Sequence, residues 1–317
     1  MNINEFIDTR LTEVQKPSWY VGGEYGSVVK NKADVNIRFA FCFPDMYDVG
    51  MSHLGMKILY NMMNDTMPDV WCERVFMPNT DMQSLMRECE VPLFGLESHE
   101  PIKDDDFIGF TLQYELSYTN IVAMLDLAEV PIFASERKQG DPIVICGGPC
   151  ACNPEPLADF VDIFFIGDGE EDYYTLFEIY RQCGKDREEF LRRATEIDCM
   201  YVPKYHEQGK QVNRRIIKDI NKCYIPDKTV VPYAEIVHDR VVLEIMRGCI
   251  RGCRFCQAGM IYRPFRQRSP ELLVETAKKL IKATGYDEIS LTSLSTSDFE
   301  RLDELANSLL TYCVPQH

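Results

Sequence analysis

The stretch Arg247-Gly248-Cys249-Ile250-Arg251-Gly252-Cys253-Arg254-Phe255-Cys256 sets three cysteines in a Cys-x3-Cys-x2-Cys spacing directly after an apolar run. At this cysteine content about 0.02 such triplets are expected by chance, so the spacing points to chemistry. Three thiolates from one short loop can hold three corners of a cubane iron–sulfur cluster and leave the fourth iron open to a small molecule. A closed ferredoxin site needs a fourth cysteine nearby, and the next one is Cys313. Zinc held by three cysteines and a histidine is the other metal reading. Its nearest histidine is His238, which precedes the apolar run. A chance grouping of structural thiols is the third.

The other cysteines read differently. Cys42, Cys72, Cys146 and Cys199 lie in apolar or strand-like surroundings, where a free cysteine behaves as a small buried hydrophobe. Cys150 and Cys152 follow Gly147-Gly148 with one residue between them, a spacing that matches no metal site and stays unassigned. Thirteen cysteines in 317 residues, with no export signal at the N-terminus, favour metal or thiol chemistry over a disulfide scaffold.

Six arginines (Arg247, Arg251, Arg254, Arg263, Arg266, Arg268) fall between Ile245 and Pro270 with no Asp, Glu or Lys among them. The chain as a whole has 34 Lys plus Arg against 50 Asp plus Glu and a net charge of −16. The arginine belt is either a solvated face or a device that offsets the charge of a thiolate-bound cluster and eases its reduction; it also suits the docking of an acidic electron donor. The acidic remainder argues against nucleic acid as a partner. No run reaches the roughly 18 apolar residues that span a bilayer, so the chain reads as soluble and cytoplasmic, without a membrane partner.

Something must hold that loop in place. After a polar arm over 1–35 containing Pro17, Trp19 and Tyr20, short apolar runs alternate with helical patterns, which predicts an α/β fold with a parallel sheet. Strands are expected at 36–43, 70–76, 107–112, 143–146 and 161–166. Leu54, Ile58, Leu59 and Met62 recur at helical spacing behind a cap region at Ser52 or His53. Further helices are expected at 117–129, 170–182 and 187–196. These make one doubly wound domain over 36–198. Proline and glycine break the pattern across a connector at 199–236, with room for a small hairpin. A second unit over 237–317 opens with an apolar run at 241–246, interrupted by Glu244. A helix at 270–284, a strand at 288–292 and a helix at 298–312 follow.

Loops at the carboxyl ends of parallel strands form the ligand crevice of such folds. Asp45-Met46-Tyr47-Asp48-Val49-Gly50 follows the first strand, Gly147-Gly148 the fourth, and Gly167-Asp168-Gly169-Glu170-Glu171 the fifth. The last reads as a turn with acidic residues at a helix start.

The cysteine spacing, with Phe255 before the third cysteine, resembles the radical S-adenosylmethionine superfamily. That resemblance implies Cys249, Cys253 and Cys256 as ligands of a [4Fe–4S] cluster whose open iron binds the amino and carboxylate groups of S-adenosylmethionine, with one-electron cleavage to a 5′-deoxyadenosyl radical. It places Phe255 near the adenine. It also sets Thr292-Ser293-Leu294-Ser295 where related enzymes use Gly-Gly-Glu at the methionyl amine, so Ser293 and Ser295 stand as candidate contacts. A flavodoxin- or ferredoxin-type electron donor is the implied partner. The N-terminal domain resembles the cobalamin-binding half of cobalamin-dependent radical enzymes, whose Asp-x-His-x-x-Gly motif is matched at its ends by Asp45 and Gly50. Tyr47 replaces the histidine, and a phenol is a poor cobalt ligand at neutral pH. Asp45, Tyr47, Gly50, Gly147 and Gly148 are the residues the resemblance gives to cobalamin. Either cobalamin binds there without a lower protein ligand, or the fold is kept without the cofactor; His53 is a substitute ligand or a helix cap.

The fold so implied is a Rossmann-like cobalamin-binding-type domain followed by the first part of a radical-enzyme (β/α) partial barrel. Such barrels have about six strand–helix units and 237–317 holds two. The chain therefore reads as the amino-terminal part of a longer protein, inactive alone and with its last strand an exposed edge. The resemblance covers nearly the whole chain and names neither a catalytic residue nor a substrate. Modification of an unactivated carbon, methyl transfer included, is the activity it implies. A non-catalytic corrinoid or redox carrier, and an enzyme like the methylthiotransferases of transfer RNA, are the alternatives.

Overall fold

Seven consecutive buried residues, Ile37–Phe43, can only be a strand covered on both faces, because one open face would impose polar alternation. In the computed structural model, which describes residues 1–207 and 209–313, this strand lies inside a six-stranded sheet. In chain order the first part comprises α1 (Ile3–Arg10), β1 (Ile37–Phe43), α2 (Tyr47–Gly50), α3 (Leu54–Thr66), β2 (Val70–Phe76), α4 (Thr80–Cys89) and β3 (Phe107–Thr111). It continues with α5 (Tyr118–Leu127), β4 (Ile143–Gly147), β5 (Ile163–Phe165), α6 (Asp172–Gln182), α7 (Arg187–Ala194) and β6 (Met200–Tyr201). The strand order is β2-β1-β3-β4-β5-β6, parallel except for β6. The chain direction across the sheet reverses between β1 and β3, which opens a crevice at the carboxyl ends of those strands.

Phe39, Phe107 and Phe177 pack as one aromatic cluster, with Tyr180 4.7 Å from the Phe107 ring centroid. Gly109 is needed opposite it, since a Cβ there would meet the Phe39 ring at 2.2 Å. The 1–35 segment is not a loose arm: Phe6 and Trp19 are buried in the same core. Glu24 reaches in to pair with Arg74 at 2.7 Å, and Glu97 takes the same guanidinium at 2.6 Å. The sheet also extends past the expected boundary at 198, because Phe164 and Phe165 pair with Tyr201 and Met200 of β6. Among its described residues the connector forms no hairpin; the isolated bridges Tyr25–Val231 and Gly167–Arg215 help tie it to the rest.

The second part comprises β7 (Val241–Glu244), β8 (Met246–Arg247), α8 (Gln257–Ile261), β9 (Arg266–Gln267), α9 (Pro270–Thr284), β10 (Ile289–Thr292) and α10 (Leu302–Cys313). Ser269 caps α9 by accepting from Leu272 N, Pro270 fills its first position, and Gly285 at φ 76° ends it, so start and stop are written locally. β7 and β10 pair in parallel. Leu273, Ala277, Leu280, Leu305 and Leu309 bury α9 and α10 against them. The side chain of Cys313 lies outside the described residues. No helix among the described residues is long and apolar enough to cross a membrane.

Candidate functional site

The cysteine loop is closed by a short antiparallel clip in which Met246 faces Gln267 and Arg247 faces Arg266. Between these strands Gly248 takes φ 83°, and a Cβ there would lie 2.7 Å from Pro264 O and 2.8 Å from Tyr262 O. Only glycine lets the chain cross itself at this point. Cys256 caps α8, its Sγ accepting from Gly259 N at 3.4 Å, and Cys249 Sγ accepts from Arg251 N at 3.5 Å. Backbone N–H groups aimed at sulfur favour thiolate ligands and tune the potential of a cluster they hold. Cys253 is exposed, and Cys249 and Cys256 are half-buried. All three are free thiols. Among the described residues no three His, Cys, Asp or Glu side chains converge where one ion could sit.

Most of the arginine belt is spent on fixing this loop. Arg247 pairs with Glu244 at 2.7 Å, with Asp168 at 3.4 Å and with Glu170. Arg266 pairs with Asp168 at 2.5 Å and donates to Ile217 O at 2.7 Å. Arg268 pairs with Glu244 at 2.8 Å, and Arg251 with Asp298. Burial raises the Glu244 carboxyl, but Arg247 and Arg268 outweigh it and hold the group below the ordinary carboxylate range. The belt therefore divides: Arg247, Arg266 and Arg268 are largely buried ion-pair anchors, and Arg251 pairs at the surface. Arg254 and Arg263 are exposed and make no ion pair among the described residues.

The acidic turn after β5 supplies Asp168 and Glu170, so it ties the first part of the molecule to the cysteine loop. A cavity of about 1510 Å³, counted to its open mouth, lies between them. Its walls come from the carboxyl ends of β3 (Thr111, Gln113), β4 (Gly147, Gly148) and β5 (Gly167 to Glu170), and across from them Glu244, Arg247, Thr292 and Ser293 after β7 and β10. Both sheets thus open their carboxyl ends into one crevice. Gly148 adopts φ 97°, and a Cβ there would sit 2.8 Å from Leu112 O, so the backbone itself forms the wall.

Of the residues marked in the sequence, Gly147, Gly148 and Ser293 line this crevice. Tyr47 does not: it is 1% exposed, stacks on Trp19 and donates to Glu24 at 2.8 Å. Beside that carboxylate and away from water its hydroxyl is pushed well above the usual phenol range, burial being the first cause and Glu24 the second. Gly50 is a packing glycine, since a Cβ would meet the Phe76 ring at 2.4 Å. Asp45 turns outward to accept from Tyr114 and does not line the crevice. Ser295 donates to Asp298 at 2.6 Å, the carboxylate that also holds Arg251, so it braces the cysteine loop. Phe255 is 93% exposed at the loop tip and lines no wall of the crevice. The motif Asp45–Gly50 thus falls on a hydrogen-bond acceptor, a buried phenol and a packing glycine, none of them on the crevice wall. What sequence reasoning missed was the pairing of Asp168, Glu170 and Glu244 with the arginine belt; a lone Glu inside an apolar strand and an acidic turn followed later by an arginine run were the available signals.

His53 is a helix cap. Its Nδ1 accepts from Met56 N at 3.1 Å, so in the neutral ring the proton sits on Nε2. Burial, with Lys57 nearby and against a bond the ring donates to Gln113, pushes it from 6.5 down to about 4. The folded state therefore keeps the ring neutral where the unfolded chain would protonate it, and stability drains as pH falls from 6.5 toward 4. We expect the urea midpoint to drop between about pH 7 and about pH 5, and to drop less in His53→Asn, which keeps a capping oxygen. Equal drops in the two proteins would refute this.

Residues 55–203 match the family model of radical SAM proteins, N-terminal, and residues 243–312 that of the radical SAM superfamily. An uncharacterised protein of Methanocaldococcus jannaschii is 28% identical over 275 residues, covering 85% of this chain and 52% of its own. TsrM from Kitasatospora setae, a radical S-adenosylmethionine methyltransferase solved with cobalamin and a [4Fe–4S] cluster bound, superposes with TM-score 0.54 at 13% identity, covering 89% of this chain and 51% of its own. OxsB, a cobalamin-dependent S-adenosylmethionine radical enzyme solved with aqua-cobalamin, gives 0.57 at 13% identity, with 87% and 37% covered. At such identity the two structures show the fold alone. The chain spans about half the length of the curated relatives it matches over most of its own.

Proposed function

We infer that this chain, which belongs to the radical SAM superfamily, holds a [4Fe–4S] cluster on Cys249, Cys253 and Cys256, binds S-adenosylmethionine in the crevice beside it, and acts on a substrate carbon that ordinary acid–base chemistry does not reach. The observation that carries this is the crevice itself, into which the sheet of the first domain and the strands beside the cysteine loop both open. When bound, such a cluster supplies the single electron that breaks the sulfonium and yields the 5′-deoxyadenosyl radical. The chain's own residues provide the setting. Gly248 and the clip of β8 with β9 fix the loop, the Arg251–Asp298 pair steadies the stretch before Cys253, and Ser293 offers a hydroxyl at the wall.

A corrin suits the opposite side of the crevice, where Gly147 and Gly148 present backbone with no side chain in the way. It would sit there without a cobalt ligand from His53, because the Nδ1 lone pair of that ring is engaged by Met56 and Nε2 carries the proton. That agrees with Tyr47 being locked on Glu24. An electron donor of flavodoxin or ferredoxin type is the partner proposed for reduction.

Oxygen-free reconstitution with iron and sulfide tests the reading. About four irons per chain, with methionine and 5′-deoxyadenosine released on reduction in the presence of S-adenosylmethionine, is the expected result. Absence of iron-dependent absorbance would remove it. Added hydroxocobalamin whose spectrum is unchanged by the protein would remove the corrin part alone.

A further inference from the structure

Behind the crevice, and sharing Leu54, Ile58 and Glu244 with its lining, lies a second cavity of about 590 Å³ counted to its mouth. One face of α3, the strand β7, helix α9 and residues 225–229 of the connector enclose it. Leu54, Lys57 and Ile58 recur at i, i+3 and i+4, so a single helix face carries a lysine into a mostly apolar wall completed by Val242, Leu273 and Leu280. Lys57 is 9% exposed, and its ammonium makes no hydrogen bond or ion pair among the described residues. Two further lining atoms, Arg240 Nε and Thr229 Oγ1, are shut from solvent without an acceptor. Donors from three segments thus face one chamber: the Lys57 ammonium, Thr229 Oγ1, and Arg240 Nε, the other end of that guanidinium pairing with Glu288 at 3.4 Å. The one acid in the lining, Glu244, is engaged by Arg247 and Arg268.

Buried donors without acceptors are costly and are rare in native proteins, and Lys57 has no hydrogen-bond acceptor among the described residues to offset its burial, Asp239 acting on it only through its charge. An anionic head would satisfy them with charge-assisted bonds. The remaining walls favour a hydrocarbon body over a sugar or a nucleotide. We propose that this chamber binds a small organic monocarboxylate, its carboxylate held by Lys57 and Arg240 and its apolar body lying along α3 and α9. The charged and titratable groups around the ammonium are Asp239, Arg74, Arg240, Arg268, Glu244 and His53. Burial lowers Lys57 to about 8, Asp239 opposing this and Arg74 adding to it, so the head keeps its partner at neutral pH and loses it in mild alkali.

The site needs no cluster for its occupant and is tested on the metal-free 317-residue chain by calorimetric titration with octanoate, 1-octanol and octylamine. Octanoate is expected to bind and the other two not. Lys57→Met should weaken octanoate by about tenfold or more, while its own thermal midpoint equals or exceeds that of the unaltered protein because an unpaired buried charge is gone. In the unaltered protein octanoate affinity should fall as pH rises from about 7 to about 9, an arm that needs no variant. Binding that ignores the head group, a Lys57→Met affinity within about twofold of the original, or no octanoate binding at all would each overturn the proposal.

Discussion

Alanine in place of Cys253 is expected to take the reconstituted chain from about four bound irons to nearly none while leaving the metal-free fold untouched. Both halves of that result follow from the structure. Cys253 is exposed and free, so its loss opens no core and should move the unfolding free energy by no more than about 0.5 kcal/mol. Under the proposed ligation its sulfur is one of three corner ligands on a single loop, and two thiolates would not retain a cubane against exchange into solution. Cys249→Ala and Cys256→Ala should give the same loss of iron, with Cys256→Ala also freeing Gly259 N at the start of α8. Cys152→Ala is the control: Cys152 lines the crevice wall but lies outside the loop and should keep the full iron complement. Iron and sulfide analysis beside a thermal melt reads both halves. A Cys253→Ala chain that holds as much iron as its parent ends the cluster assignment.

Asp168→Ala should be strongly destabilising, at ~3–5 kcal/mol. Its carboxylate receives Arg266 at 2.5 Å, Arg247 at 3.4 Å and Ile217 N at 2.9 Å. Arg266 is buried, and removing its partner leaves a charge with neither water nor counter-ion, which costs far more than an exposed pair would contribute. Adding Arg266→Met should recover part of the loss, because the double change removes both charges together. Chemical denaturation of the two single variants and the double gives the cycle. A loss below about 1 kcal/mol for Asp168→Ala would show that the turn after β5 does not clamp the cysteine loop.

The sheet was legible because its strands are buried on both faces and so appear as unbroken apolar runs; 70–76 was placed to the residue. Helix α9 was equally plain, since Ser269, Pro270 and Gly285 mark both of its ends. Helix α4 escaped, its polar sequence giving only Met82, Leu85 and Met86 to the core. So did the burial of the N-terminal segment, whose polar residues are paired inside: Glu24 reads as surface until Arg74 is seen beside it. At the cysteines, residue type and spacing carry the proposed chemistry without help from the fold. For Asp45, Tyr47 and Gly50 the sequence did not say where they would lie, because a short motif does not tell whether a residue faces the crevice or the core, and none of the three lines the crevice. Partner choice for the arginines was hidden for the same reason: Asp168 and Arg266 stand 98 positions apart in sequence and meet only in the folded chain.

The turn carrying Gly167 to Glu170 is at once a wall of the crevice and the anchor of Arg247. An occupant that presses on that turn must also alter the stance of the thiol-bearing segment, and by thermodynamic reciprocity whatever stiffens that segment changes the grip on the occupant by the same factor. Ligands on the two halves are therefore expected to be heterotropically linked through a few carboxylate oxygens, with affinities measured with one side empty differing from those measured with both filled.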